Sequence, residues 1–84
     1  MRLYLQQRPA AGEAPKYVQL TLEQDLFGGF FLVRESGTTG TRPTVKREQF
    51  LQRDPAIAAL ESARDAQVKR GFQVMFAQGM DAPR

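Results

Sequence analysis

The residues with the clearest chemical potential in this chain are basic side chains clustered in its middle third. Five of them fall within one stretch: Arg34, Arg42, Lys46, Arg47 and Arg53. The same stretch contains two acids, Glu35 and Glu48. On adjacent strands and the loop joining them, such cations could contact the phosphates of a nucleic acid. Ordinary sheet surface is an equally open interpretation, because strand alternation puts Lys46 and Arg47 on opposite faces.

Residues that could carry out catalysis are missing from the same sequence. The 84 residues include no cysteine and no histidine, so thiol nucleophiles, Ser-His catalysis and the usual zinc ligands are excluded. Gly37 and Gly40 lie between two predicted strands rather than between a strand and a helix, which does not favour a phosphate-binding loop. We therefore predict a protein that is not an enzyme, uses no cofactor, metal or small-molecule substrate, and acts by binding.

Length and composition indicate one small globular domain. With 42% hydrophobic and 25% charged residues the chain should fold, and 84 residues suffice for one hydrophobic core. The net charge of +3 is a mild bias toward anionic partners. The apolar residues at the N-terminus are too few for a signal peptide or a membrane span. The lack of cysteine suits a reducing compartment, so we expect a cytoplasmic protein with no membrane contact.

Alternation of apolar and polar residues predicts five strands, at residues 2–8, 16–24, 30–35, 45–50 and 72–76. The pair Gly28-Gly29 can adopt the positive φ angles of a tight reversal between the second and third strands. The third strand is apolar on both faces where it starts, which favours a central position in the sheet.

A single helix is predicted over residues 55–70. Asp54 can cap its first amides, Pro55 suits the first helical position, and Gly71 is a natural left-handed stop. Its alanine-rich stripe suits packing on a sheet. The elements together predict an α+β fold, an antiparallel β-sheet with one α-helix packed on one face. We expect one domain at residues 1–76 and a flexible C-terminal tail at 77–84. The predicted core residues are Leu20, Leu22, Leu32, Ile57 and Leu60.

The order and spacing of several motifs support a more specific prediction. They are the strand 17–22, the run Asp25-Leu26-Phe27-Gly28-Gly29, the strand 30–35, the strand 44–50, and the helix that ends in Gly71-Phe72. Over residues 2–72 this arrangement resembles the WGR domain family, particularly the short bacterial proteins that consist of little else. The resemblance implies a nucleic-acid-binding and domain-contact module.

The sequence departs from the family at its signature, where Ser36-Gly37-Thr38 replaces Trp-Gly-Arg. In the family, the Trp and Arg belong to the contacts with nucleic acid or a neighbouring domain. Serine and threonine supply neither a flat ring nor a planar cation. The resemblance therefore implies the fold more firmly than the activity.

Two functional hypotheses follow. The first is DNA or other nucleic-acid binding in an altered mode, with weak hydrogen bonds from the hydroxyls of Ser36, Thr38, Thr39 and Thr41. Its predicted binding residues are Arg34, Ser36, Gly37, Thr38, Arg42, Lys46 and Arg47. The second is a degenerate WGR-like domain for protein–protein interaction, without nucleic-acid binding, acting through an exposed sheet edge or the apolar strand at 72–76.

Overall fold

The computed structural model describes residues 1–8 and 11–79. Within them lie five strands and one helix: β1 (Arg2–Gln7), β2 (Lys16–Gln24), β3 (Phe30–Thr38), β4 (Thr44–Phe50), α1 (Arg53–Lys69) and β5 (Gln73–Gln78). The strands form one antiparallel sheet in the order β4-β3-β2-β1-β5. The predicted α+β fold, an antiparallel sheet with one helix on one face, is confirmed.

The topology is a four-stranded meander to which the chain adds a fifth strand at the far edge. After β4, helix α1 crosses the sheet, and β5 then pairs with β1. Because β5 adds on that side, β2 is the middle strand. Strand β3, predicted to be central, is an interior strand that pairs with β2 on one side and β4 on the other. Strand β3 also continues past Glu35 to Thr38, so the segment that replaces the family signature is part of a strand.

The core lies between α1 and one face of the sheet, which we call the helix-covered face; the other is the open face. The buried apolar side chains are Leu3, Leu5, Val18, Leu20, Leu32, Ala56, Leu60 and Ala63. Three of the five predicted core residues are among them. Leu22 and Ile57 are only half-buried, because they lie near the end of the sheet where the helix begins and covers the sheet less completely.

The reversal between β2 and β3 is held by one carboxylate. Oδ1 of Asp25 accepts hydrogen bonds from the amides of Phe27 at 2.7 Å and Gly29 at 2.8 Å. Of the glycine pair, Gly28 has the positive φ of 89°. Gly29 is required for a different reason: a Cβ there would lie 2.7 Å from Oδ2 of Asp25 and 3.1 Å from the carbonyl oxygen of Phe50.

Helix α1 starts two residues earlier than predicted and ends at Lys69, one residue earlier than predicted. The residue before it, Gln52, makes no side-chain capping bond, and Asp54 lies in the first turn, so the prediction of Asp54 as the cap was wrong. Pro55 still lies among the first four residues, whose amides have no helical partner. At the other end Gly71 has φ 97°, and the amides of Gly71 and Phe72 donate back to carbonyl oxygens of the last turn, a Schellman motif.

The C-terminal strand is longer than predicted. Ala77 and Gln78, expected in the tail, pair with Leu3 and Arg2 of β1. The last residues of the predicted tail, 80–84, lie outside the described residues. In the part of the chain that the structure describes, no helix is long and apolar enough to cross a membrane.

Candidate functional site

A groove opens on the helix-covered face, between the C-terminal half of α1 and the ends of β2 and β3. The register pairs Lys16 with Thr38 and Val18 with Ser36, which brings the start of β2 beside the end of β3. The groove has a volume of about 440 Å³. Its polar and charged lining on this face consists of Gln7, Lys16, Ser36, Thr38, Gln67 and Arg70, and Tyr17, whose side chain lies on the open face, also borders it.

A smaller hollow of about 170 Å³ adjoins this groove on the β4 side. Ser36 and Gln67 line both spaces, so we treat them together as the basic groove. The hollow contributes Arg34 and Lys46, which face each other across β3 and β4. Arg34 donates a hydrogen bond to Glu48 at 3.1 Å, but an ion pair this exposed is worth little and leaves the guanidinium able to exchange partners.

The segment Ser36-Gly37-Thr38 is divided between the two faces of the sheet. Strand alternation directs Ser36 and Thr38 into the basic groove and places Gly37 on the open face. A Cβ at Gly37 would lie 3.5 Å from the ring of Tyr17 and 3.4 Å from Cα of Pro43. The ring of Tyr17 therefore packs across the backbone of this glycine.

The loop between β3 and β4 is tied down by threonine. The hydroxyl of Thr41 donates to the carbonyl oxygen of Thr38 at 2.7 Å, and the amide of Thr39 donates to the carbonyl oxygen of Pro15 at 2.9 Å. The hydroxyl of Thr41 is thus used within the loop, unlike the role predicted for it. Arg42 projects from this loop, exposed and outside the groove lining.

The structure brings some of the predicted binding residues together and separates others. Arg34, Ser36, Thr38 and Lys46 share the basic groove. Arg47 lies on the open face, where it lines a separate hollow together with Phe31 and residues of the β2–β3 reversal. The five basic residues grouped in the sequence therefore do not share one surface, as strand alternation indicated.

Sequence reasoning missed two cations of the groove. The position of Lys16 could have been predicted from the hairpin register, since counting back from the reversal at Gly28 pairs Lys16 with Thr38. Arg70 joins the groove through packing of the helix end, which no local pattern predicts. There the side-chain amide of Gln7 donates a hydrogen bond to the backbone carbonyl oxygen of Arg70 at 2.8 Å, which connects β1 to the end of α1.

The open face carries a row of aromatic contacts. The rings of Tyr4 and Tyr17 stack with their centroids 6.0 Å apart. The Tyr17 hydroxyl donates to the Glu35 carboxylate at 2.9 Å; this hydrogen bond, with smaller contributions from burial and from the negative charge of Glu35, raises the pKa of Tyr17 above its ordinary value of 10.0. At the β5 edge the Arg2 guanidinium lies 5.8 Å from the ring centre of Phe76.

The β5 edge is the surface of the alternative hypothesis. Three adjacent apolar side chains, Val74, Met75 and Phe76, are each about half exposed there. An unpaired strand edge with apolar side chains can accept an extended segment of another chain.

The family assignment agrees with this architecture. Residues 1–77 match the WGR domain family, and the chain belongs to that family. Comparison with curated proteins and with solved structures gives no match. Family membership makes this chain a small binding module, and the basic groove is the part that contains Ser36 and Thr38 of the altered signature.

Proposed function

We propose that this domain is a non-enzymatic module that binds nucleic acid, with DNA as the first candidate. The phosphate backbone would lie in the basic groove. The observation that supports this proposal is the lining of that groove, which includes four cations: Lys16 of β2, Arg34 of β3, Lys46 of β4, and Arg70 just after α1. The proposal includes a cytoplasmic location, because that compartment of a bacterial cell holds the DNA.

The chemistry of the groove suits a phosphate backbone better than base edges. Lysine and arginine neutralise phosphate charge, and the hydroxyls of Ser36 and Thr38 add neutral hydrogen bonds to phosphate or sugar oxygens. No aromatic ring stands at position 36, so stacking on a terminal sugar or base is not part of this mode. Binding is therefore expected to depend strongly on salt and weakly on base sequence.

The test is to measure binding to fluorescently labelled duplex DNA, single-stranded DNA and RNA at a series of salt concentrations. Fluorescence anisotropy gives the binding constant at each concentration. Each phosphate contact contributes about 0.9 to the slope of log K against log salt for duplex DNA. Lys16→Ala and Lys46→Ala should each weaken binding to every sequence alike and lower the slope by about that amount. A wild-type domain without salt-dependent binding to any of the three ligands at low ionic strength would refute the proposal.

Arg53→Ala is the matched control. It removes one positive charge from an exposed residue at the start of α1, the end opposite the basic groove. If Arg53→Ala changes the slope as much as Lys16→Ala, net charge rather than the groove carries the binding.

The protein-interaction alternative has its own supporting observation in the half-exposed apolar edge of β5. It predicts that Met75→Lys abolishes association with a partner protein, and that neither the wild type nor this variant shows salt-dependent binding to nucleic acid. Absence of nucleic-acid binding in the wild-type domain, together with its appearance in a variant with the family signature restored, would favour this alternative.

A further inference from the structure

The end of the sheet opposite the basic groove exposes large apolar side chains. Leu26 and Phe27, at the tip of the β2–β3 reversal, are 97% and 96% exposed, and Leu51 after β4 is 85% exposed. Single exposed apolar residues are common on protein surfaces, but a cluster at one end marks an interaction site. We call Leu26 and Phe27 the apolar tip.

The tip is rigid rather than a loose loop. Asp25 fixes the backbone through bonds to the amides of Phe27 and Gly29, and its own amide donates to the carbonyl oxygen of Gly29 at 2.9 Å. A backbone held in one geometry loses little conformational entropy when it binds. The turn therefore presents Leu26 and Phe27 in a preorganised way.

A shallow hollow on the open face lies directly beside the tip. Its volume is about 610 Å³, and Phe31, half-buried, is its apolar floor. Glu23 pairs with Phe31 from β2, and Arg47 lies on β4 at the other side of β3. The hollow thus has a negative flank, an apolar centre and a positive flank.

This charge pattern is complementary to itself. A twofold axis running along β3 would place β2 of one copy against β4 of the other, on both sides of the axis. Glu23 of one copy would then face Gln49 of the other, with Arg47 two residues from Gln49 along β4 and within reach of the Glu23 carboxylate. A twofold interface uses the same patch on both subunits and requires this kind of self-complementarity. We propose that the apolar tip and the hollow at Phe31 form the interface of a homodimer.

The size of the patch sets the expected strength. An aromatic side chain buries about 150–250 Å², so the two tips and two hollows together bury on the order of 1,000 Å². That is the low end for a specific interface, and the dimer should be weak and reversible. The basic groove lies on the opposite face and at the opposite end, so both copies keep it free. The dimer does not depend on nucleic-acid binding.

Sedimentation equilibrium of the purified chain over a wide concentration range tests the dimer. We expect a monomer–dimer equilibrium in the wild type. The double substitution Leu26→Ser and Phe27→Ser should weaken the dimer by more than about tenfold, as loss of a hot-spot side chain does. Val68→Ser, at a half-exposed helix residue, is the matched control and should leave the equilibrium unchanged. Circular dichroism confirms that each variant is folded.

Charge reversal tests the geometry. Glu23→Arg alone and Arg47→Glu alone should each weaken the dimer by bringing like charges together, and the double reversal should restore it. A wild type that stays monomeric at every concentration overturns the proposal, and so does a double reversal that fails to restore a dimer lost in both singles. If the protein is a monomer and Phe27 is needed for binding to vesicles of phosphatidylcholine and phosphatidylglycerol, the dimer proposal is overturned. The tip would then be a membrane-binding surface.

Discussion

The two ends of the β2–β3 hairpin differ in almost every physical respect. At one end Lys16 and Thr38 open into a groove that is polar and positively charged. At the other end the chain reverses through Leu26 and Phe27, which are almost fully exposed. One end is suited to a charged, hydrated ligand and the other to an apolar surface that excludes water.

This difference explains how a small domain could carry the two binding surfaces that we propose. Strands of nine residues at about 3.3 Å per residue separate the two ends by roughly 30 Å. Salt screens charges over about 8–10 Å, so the basic groove has little electrostatic influence on the apolar tip. The two proposals can therefore be tested, and can fail, independently.

The largest expected effect comes from the core that supports both ends. Leu60 is fully buried, and Leu60→Ala should lower the free energy of unfolding by about 2–5 kcal/mol, because it removes apolar contacts and leaves a cavity. Urea denaturation measures the change. Val68→Ala, on the exposed side of the same helix, should change it by less than about 0.5 kcal/mol. Equal effects would mean that α1 does not pack as described.

The second prediction compares glycines at the two ends. Gly29→Ala should destabilise the domain by about 1–3 kcal/mol, because the new methyl group would lie 2.7 Å from Asp25 and 3.1 Å from the Phe50 carbonyl oxygen. Gly37→Ala meets only ordinary contacts and should be close to neutral. Thermal melts of both variants decide the order. If Gly29→Ala were as neutral as Gly37→Ala, the apolar tip would be less rigid than proposed.

The third prediction sharpens the contrast at the groove. Ser36→Trp combined with Thr38→Arg restores the family signature in a groove of about 440 Å³ and should tighten DNA binding by about tenfold, through one stacking ring and one charged contact. Anisotropy titrations at fixed salt measure the gain. The same variant should dimerise as the wild type does, since the tip is untouched. Unchanged DNA affinity would mean that the groove is not where the ligand lies.

The arginines first grouped together from sequence now have different expected roles. Arg42→Ala should weaken DNA binding slightly, because the side chain projects from the loop next to the groove. Arg47→Ala should leave DNA binding unchanged and weaken the dimer, because Arg47 lies on the open face beside the tip. Measuring both equilibria for both variants separates the surfaces. A loss of DNA affinity in Arg47→Ala would place the ligand on the open face.

The smallest expected effect is a pH dependence at the groove end. The bond from Tyr17 to Glu35 raises the pKa of Tyr17 in the folded state above its unfolded value near 10. Its contribution to stability is therefore complete below pH 10 and is lost as the pH rises through the folded pKa. Urea midpoints measured on the alkaline side of pH 10 should fall more steeply for the wild type than for Tyr17→Phe. Parallel curves would show that the bond contributes nothing.

Several features were predictable because they depend on neighbours in sequence. Alternation identified the strands, and it also showed that Lys46 and Arg47 could not share a face. Gly71 marked the helix end because only a residue free of Cβ strain adopts its φ of 97° readily. The altered signature, Ser36-Gly37-Thr38, could be placed at one end of the β2–β3 hairpin once the reversal at Gly28 was recognised.

Tertiary structure decided what depends on partners distant in the chain. The pairing of β5 with β1 made β2 the central strand, and the packing of the helix end brought Arg70 to the signature. Sequence alone could not distinguish a buried Phe27 from an exposed one, since an aromatic residue in a turn can fold back onto a core or project from it. Phe27 is exposed because the Asp25 carboxylate holds the turn through hydrogen bonds from the amides of Phe27 and Gly29. These hydrogen bonds form only when the hairpin closes.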